Sequence, residues 1–115
     1  VHKNDLIALA YKIMQWKNIH HLPVVDDDNK LIGVIVKKDI ETFKSSVSTL
    51  NETPVEQIMT KNYVSSGPET SFEEAKELIK NTNKTYIVIL DKKDSLIGLV
   101  TSKDIQKTEH LRKVI

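Results

Sequence analysis

Thr101 and Asp104 stand three residues apart in the stretch LIGLVTSKD, Leu96 to Asp104, and an earlier stretch, Leu31 to Asp39, reads LIGVIVKKD. At that spacing a hydroxyl and a carboxylate share one helical turn, so each can reach the other's backbone N–H and cap the helix start. The same groups can instead serve a bound molecule, because a carboxylate accepts hydrogen bonds and a hydroxyl can donate one to an anion. In the earlier copy the aspartate is Asp39, but Val36 stands where the later copy has threonine. Valine cannot cap through its side chain. Asp39 would still gain from the positive end of the helix dipole, so its presence supports a ligand without requiring one.

The two stretches are the ends of a longer repeat. With Asp39 laid on Asp104, Asn4–Ile40 superposes on Glu69–Ile105 without a gap, and Ala10/Ala75, Asn18/Asn83, Asp26/Asp91 and Gly33/Gly98 are among the identical pairs. Each copy opens with helical periodicity, Leu6, Leu9, Ala10, Ile13 and Met14 in the first and Phe72, Ala75, Leu78 and Ile79 in the second. Thr70 or Ser71, followed three residues later by Glu73 or Glu74, offers the second helix a capping box. Two short β-branched runs follow in each copy, LPVVD then LIGVIV, and YIVIL then LIGLVT. Turns rich in Asp, Asn and Lys separate them, which reads as a hairpin buried on both faces, with a closing helix beginning near Lys37 or Ser102.

Between the copies, Ser45–Thr53 reads as a polar linker, Pro54 as the first turn of a short helix, and Tyr63–Ser65 as a short extended piece before a Gly-Pro turn. The matching extended piece of the first copy is missing, since Val1 aligns with Ser66, so the chain is expected to be part of a longer polypeptide.

Composition excludes several classes. Seventeen basic and sixteen acidic side chains leave a net charge of +1, with no block of like charge to make a broad nucleic-acid face. Cysteine is absent, which removes disulfides and thiolate metal sites. No apolar run approaches the roughly 18 residues of a membrane span and no signal peptide is visible, so the expected location is cytoplasmic. No nucleophile motif, phosphate loop or His/carboxylate pair suggests catalysis.

Two copies of helix, apolar-Pro-Val-Val-Asp, turn and Leu-Ile-Gly-x-x-[Thr/Ser]-x-x-Asp-Ile, with Ile58-Met59-Thr60 before the second, resemble a tandem pair of CBS domains, the Bateman module. The resemblance covers nearly the whole chain. It implies an α/β (α+β) fold of two β-α-β-β-α repeats in pseudo-twofold arrangement, the first lacking its opening strand. The implied division is 1–44 for the first repeat, 45–57 for the linker and 58–115 for the second. Clefts in this family hold adenosine-containing ligands: AMP, ADP, ATP or S-adenosylmethionine. Val36 departs from the family's hydroxyl position.

An adenosine phosphate offers a ribose diol, an anion and a flat base. A carboxylate accepts both diol O–H groups, which suits Asp104 or Asp39. A helix N-terminus and a hydroxyl suit the phosphate, which points to Thr101, Ser102 and Lys103. By resemblance, Thr60, Tyr63, Val64, Thr85, Tyr86 and Ile87 complete the main cleft. Asp39, Lys38, His21 and Leu22 form a weaker one, because Val36 removes a hydrogen bond to charge worth about 1.5–3 kcal/mol, roughly 10- to 100-fold in affinity.

Other candidates have plainer readings. His20 and His21 are neighbours on a strand and face opposite ways, so they cannot readily chelate one ion. Asp26–Asp28 reads as a solvated turn rather than a cation site. Trp16 falls outside the apolar stripe and is either a subunit contact or a side chain packed on the hairpin. The expected function is a regulatory adenosine-nucleotide sensor within a larger protein, homodimeric, attached to an effector domain, with no cofactor requirement. A ligand-free dimerisation module is the alternative.

Overall fold

A computed structural model of the chain describes residues 1–43 and 47–114, so Ser45 and Ser46 of the expected linker lie outside the described residues. The chain divides into two compact units, Val1–Asn62 and Tyr63–Ile115.

In the first unit, helix α1 (Ile7–Lys17) leads to strand β1 (His21–Val25), strand β2 (Leu31–Val36) and helix α2 (Lys37–Phe43). β1 and β2 pair antiparallel, with a register shift beside Val25 that lets Ile32 bulge out of the ladder. Asp26 builds the turn: its Oδ1 accepts the Asp28 and Lys30 N–H groups at 2.9 and 3.0 Å, while Asn29 takes the left-handed conformation. These bonds, the Lys30 amide foremost, hold the Asp26 carboxyl below its usual range. The acidic run is therefore a hairpin turn. Ile7, Ala10, Met14, Val24, Ile35, Ile40, Leu50 and Val55 form the core. On α1 the buried face is Ile7, Ala10 and Met14, whereas Leu6 and Leu9 of the expected stripe are exposed. The stripe is rotated because Leu6 is the N-cap residue and stands outside the helix. Trp16 is 78% exposed and does not pack on the hairpin.

The expected linker is more structured than its composition suggested. Helix α3 (Val47–Glu52) occupies most of it, because Leu50 is buried in the core and the Ile7 amide donates to the Thr53 carbonyl at 2.9 Å. Pro54 precedes a single 3-10 turn, Val55–Gln57, as its cap and not as its first residue. Thr60 then exchanges both backbone hydrogen bonds with Val34, at 2.8 and 3.0 Å, on the edge of β2 facing away from β1. A lone parallel bridge, His2 to Val25, stands where the second repeat has its opening strand.

In the second unit, strand β3 (Ser65–Ser66), helix α4 (Phe72–Thr82), strands β4 (Tyr86–Leu90) and β5 (Leu96–Thr101) and helix α5 (Ser102–Val114) follow in order. The sheet runs β3-β4-β5, with β3 parallel to β4 and β5 antiparallel to it. The β4–β5 register shift, the Asp91 Oδ1 turn bonds and the left-handed Asp94 repeat those of the first unit. Asn18 and Asn83 are both left-handed C-caps of their helices, a role asparagine fills with little steric penalty. Ser71 is the α4 cap and accepts the Glu74 N–H at 3.2 Å. Ala75, Ile87 and Ile105 form the core. Across its outer surface Arg112 sits 4.1 Å over the Phe72 ring and 3.3 Å from Glu73, and Lys76 pairs with Glu109, which raises the pKa of that lysine.

The expected burial of both hairpins on both faces holds for β2 but not β5, where Ile97 is 53% exposed and Gly98 is only half-buried. The two strand glycines differ in the same way. A Cβ on Gly33 would stand 2.5 Å from Met59 Sδ and 3.1 Å from the Thr60 carbonyl, whereas on Gly98 its nearest neighbour would be Ile89 Cβ at 3.9 Å. Gly33→Ala is therefore expected to destabilise the chain by about 1–3 kcal/mol through overpacking. Gly98→Ala should leave stability unchanged or raise it by about 0.5 kcal/mol, since alanine restricts the unfolded chain. Paired urea melts of the two variants check this contrast.

Candidate functional site

α5 begins directly after β5 because Thr101 caps it. The Thr101 N–H and its Oγ1 hydroxyl both donate to Asp104 Oδ2, at 2.9 and 3.0 Å, and the Asp104 N–H donates back to Oγ1 at 3.2 Å. The pair is thus a reciprocal capping box with aspartate at its third position. It leaves Asp104 Oδ1 outside these bonds, on an exposed side chain at the positive end of a 13-residue helix. Ser102 donates its N–H to the Thr85 carbonyl at 2.8 Å, which fixes the helix start to the beginning of β4.

The register gathers much of the expected main cleft at one end of the second sheet. Tyr86 lies opposite Thr101 and Ile87 opposite Val100. Val64 reaches the same sheet, accepting the Val88 N–H at 2.9 Å. The side chains differ in availability. Thr85 and Lys103 are exposed, and Ser102, Tyr63 and Val64 are half-buried. Tyr86 is 5% exposed and Ile87 fully buried; as neighbours on β4 they face opposite sides of the sheet, and Ile87 packs into the core with Ala75 and Ile105. Burial, with Asp94's charge adding to it, raises the Tyr63 phenol pKa. Thr60 belongs to the first unit, bonded to Val34, with its Oγ1 accepting the Asn62 N–H at 3.2 Å.

In the first unit His21 lies opposite Val36, and the Lys37 N–H donates to the His20 carbonyl at 2.9 Å, repeating the geometry around Thr85, Tyr86 and Thr101. Lys38 and Asp39 are exposed in the first turn of α2, and Leu22 packs against the core. With Val36 in place of threonine, Asp39 has no side-chain partner of the Thr101 kind. Burial, and then neighbouring His20, lowers the His21 pKa below its ordinary value near 6.5. The folded chain therefore resists protonating His21 and binds fewer protons than the unfolded chain there. Stability should fall as the pH drops through about 6.5 and level off below the folded pKa. His21→Gln should flatten that part of a Tm-against-pH profile; an unchanged slope would assign it elsewhere.

A groove of about 360 Å³ opens beside the site, lined by Gly67, Pro68, Thr70, Ser71, Phe72, Ala75, Ile89, Val100, Asp104, Ile105 and Thr108. Asp104 is the one expected site residue it contains. The Gly67-Pro68 turn signalled the loop at its mouth, but nothing in the spacing of Thr70 and Thr108 marked them as its rim. No cluster of three or more His, Asp or Glu among the described residues could hold a metal ion. Nor is any described helix long and apolar enough to cross a membrane.

Two repeats of one helix–hairpin–helix plan, each closing on a carboxylate in the first turn of its last helix, define a tandem α/β module. The family model for the CBS domain matches residues 1–44 and 55–110, and the chain belongs to that family. It is 37% identical over 98 residues to a homoserine O-acetyltransferase of Methanohalobium evestigatum, covering 85% of this chain and 19% of the relative. It is 32% identical over 107 residues to an inosine-5'-monophosphate dehydrogenase of Methanocaldococcus jannaschii, covering 93% of this chain and 21% of that protein. The chain thus spans about a fifth of the length of these curated relatives. Among solved structures, the CBS domain pair of protein MJ0100 in complex with 5'-methylthioadenosine and S-adenosyl-L-methionine matches with a TM-score of 0.81 and 30% identity, over 96% of this chain and 86% of that one. CBSX2 shares the fold at a TM-score of 0.84 and 23% identity, over 98% of this chain and 87% of that one.

Proposed function

We propose that the chain is a regulatory module that binds an adenosine-containing ligand, AMP, ADP, ATP or S-adenosylmethionine, with its principal site around Thr101 and Asp104. The carrying observation is the open Oδ1 of Asp104 at the start of α5, beside a hydroxyl that Val36 denies the first repeat. The adenosine ligands of the similar MJ0100 domain pair support the ligand class. In this reading the ribose diol donates to the Asp104 carboxylate. A phosphate accepts the Lys103 N–H and the Ser102 hydroxyl, the Ser102 N–H staying on the Thr85 carbonyl, and the Thr101 hydroxyl turns to it, exchanging its bond to Oδ2 for one to the ligand. The Thr101 N–H keeps Asp104 oriented throughout. Tyr63, Val64, Thr85, Tyr86 and Ile87 supply the base's surroundings, while Asp39, Lys38, His21 and Leu22 make a second, weaker site. The module forms a homodimer and passes ligand occupancy to an attached effector domain by preferring one arrangement of its parts.

A ligand-free dimerisation module is the second reading. One observation favours it: the Thr101–Asp104 cap is complete without a ligand. Thermal melts with AMP, ATP and S-adenosylmethionine separate the two. A ligand at 100 times its Kd adds about 2.7 kcal/mol and raises Tm by several degrees. No shift with any of the three would leave the dimerisation reading.

A further inference from the structure

The outer edge of β5 is open at the position where the first unit's β2 is occupied. β5 is the last strand of its sheet, and Leu99 lies opposite Val88. Val88 sends its N–H away from β5, to the Val64 carbonyl at 2.9 Å, so the two residues form a non-hydrogen-bonded pair. The Leu99 N–H and C=O therefore point outward. Among the described residues no backbone group pairs with them, and a Cβ on the adjacent Gly98 would meet nothing but Ile89 within 4 Å.

The first unit shows what such an edge accepts. Val34, which corresponds to Leu99, exchanges two hydrogen bonds with Thr60 in an antiparallel bridge, and Met59 lies directly over Gly33, which corresponds to Gly98. The glycine is what gives the methionine its room. The second unit has the same glycine, the same outward-facing backbone pair and no methionine. Ile97, 53% exposed beside them, adds apolar surface that a covering strand would shield.

We propose that the outer edge of β5 at Leu99 is a docking site for one further extended strand, from polypeptide outside these 115 residues. This strand pairs antiparallel with Leu99 through one residue of the Thr60 kind. The residue before it lays a long, unbranched apolar side chain, methionine in type, over Gly98. Backbone pairing supplies the affinity and the space above the glycine the selectivity. Because β-branched side chains would crowd that space, an Ile-Met-Thr segment docks and an Ile-Val-Thr segment docks less well.

The probe is a capped synthetic peptide with the sequence Glu56–Asn62, EQIMTKN, added to the isotope-labelled 115-residue chain. With free peptide at ten times its Kd, exchange of the Leu99 amide proton should slow about tenfold, while amides of β1 do not change. Gly98→Ile fills the space and should abolish the slowing at unchanged Tm. Should that variant fail to fold, Leu99→Pro removes the outward N–H from an edge position that tolerates proline, and a fluorescently labelled copy of the peptide should then show none of the anisotropy rise it shows with the unaltered chain. An unaltered Leu99 amide at the highest soluble peptide concentration overturns the proposal, as does full peptide binding by a folded Gly98→Ile. Concentration-dependent protection of Leu99 without peptide overturns it too, because the edge would then be an interface between copies of this chain.

Discussion

Asp104→Ala is expected to weaken AMP binding roughly 100-fold or more and to erase the Tm rise that AMP produces. The diol makes two hydrogen bonds to one carboxylate, each worth about 1.5–3 kcal/mol, and alanine removes both. The folded state is affected as well. Oδ2 receives the Thr101 N–H and hydroxyl, and without them the start of α5 loses a cap worth about 1 kcal/mol. A stability loss alone would leave AMP affinity intact after correction for the folded fraction, so calorimetric titration well below Tm distinguishes a site from a cap. Thr101→Val gives the complementary result. It should reduce affinity for phosphate-bearing ligands about 10- to 100-fold and leave adenosine nearly unaffected, because the hydroxyl is assigned to the anion. Equal losses for AMP and adenosine would mean that Thr101 acts only by holding Asp104.

Ile87→Ala is expected to destabilise the second unit by about 2–5 kcal/mol, enough to threaten its folding. Ile87 is fully buried on the central strand of its sheet and packs with Ala75 and Ile105 in the core. The loss combines the apolar contacts removed with the cavity left behind. The same residue was expected beside the base, so the milder Ile87→Val is the informative variant. It should cost about 0.5–1.5 kcal/mol in a urea melt and leave ligand affinity within about twofold. A tenfold affinity change from Ile87→Val would show that its outermost methyl group touches the ligand.

The repeat was the most legible feature of the sequence, because its identical residues sit where backbone geometry is most demanding. Asn18 and Asn83 are left-handed C-caps, and Asp26 and Asp91 tie their turns with paired backbone bonds. Thr101 and Asp104 were legible as a pair, and the structure gives them the reciprocal bonds of a helix cap. Less was visible where burial was decided by distant partners. Leu50 looked like one apolar residue in a polar linker, yet its contact with the first core folds that stretch into α3. Likewise Gly33 and Gly98 are indistinguishable in sequence, and only Met59, lying over one of them, separates a glycine that cannot change from one that can. The Ile58 boundary shows the same effect. The segment Ile58–Asn62 begins the second repeat in sequence, but Thr60 pairs with Val34, and the first compact unit extends through Asn62.

One good site and one compromised partner is the claim on which the functional reading turns, and the stoichiometry of nucleotide binding tests it most directly. Calorimetric titration of the native chain with AMP should saturate near one molecule per chain. The Val36→Thr variant, which restores the missing hydroxyl, should develop a second binding phase. Two equal sites in the native chain, or none for AMP, ATP or S-adenosylmethionine, would contradict it.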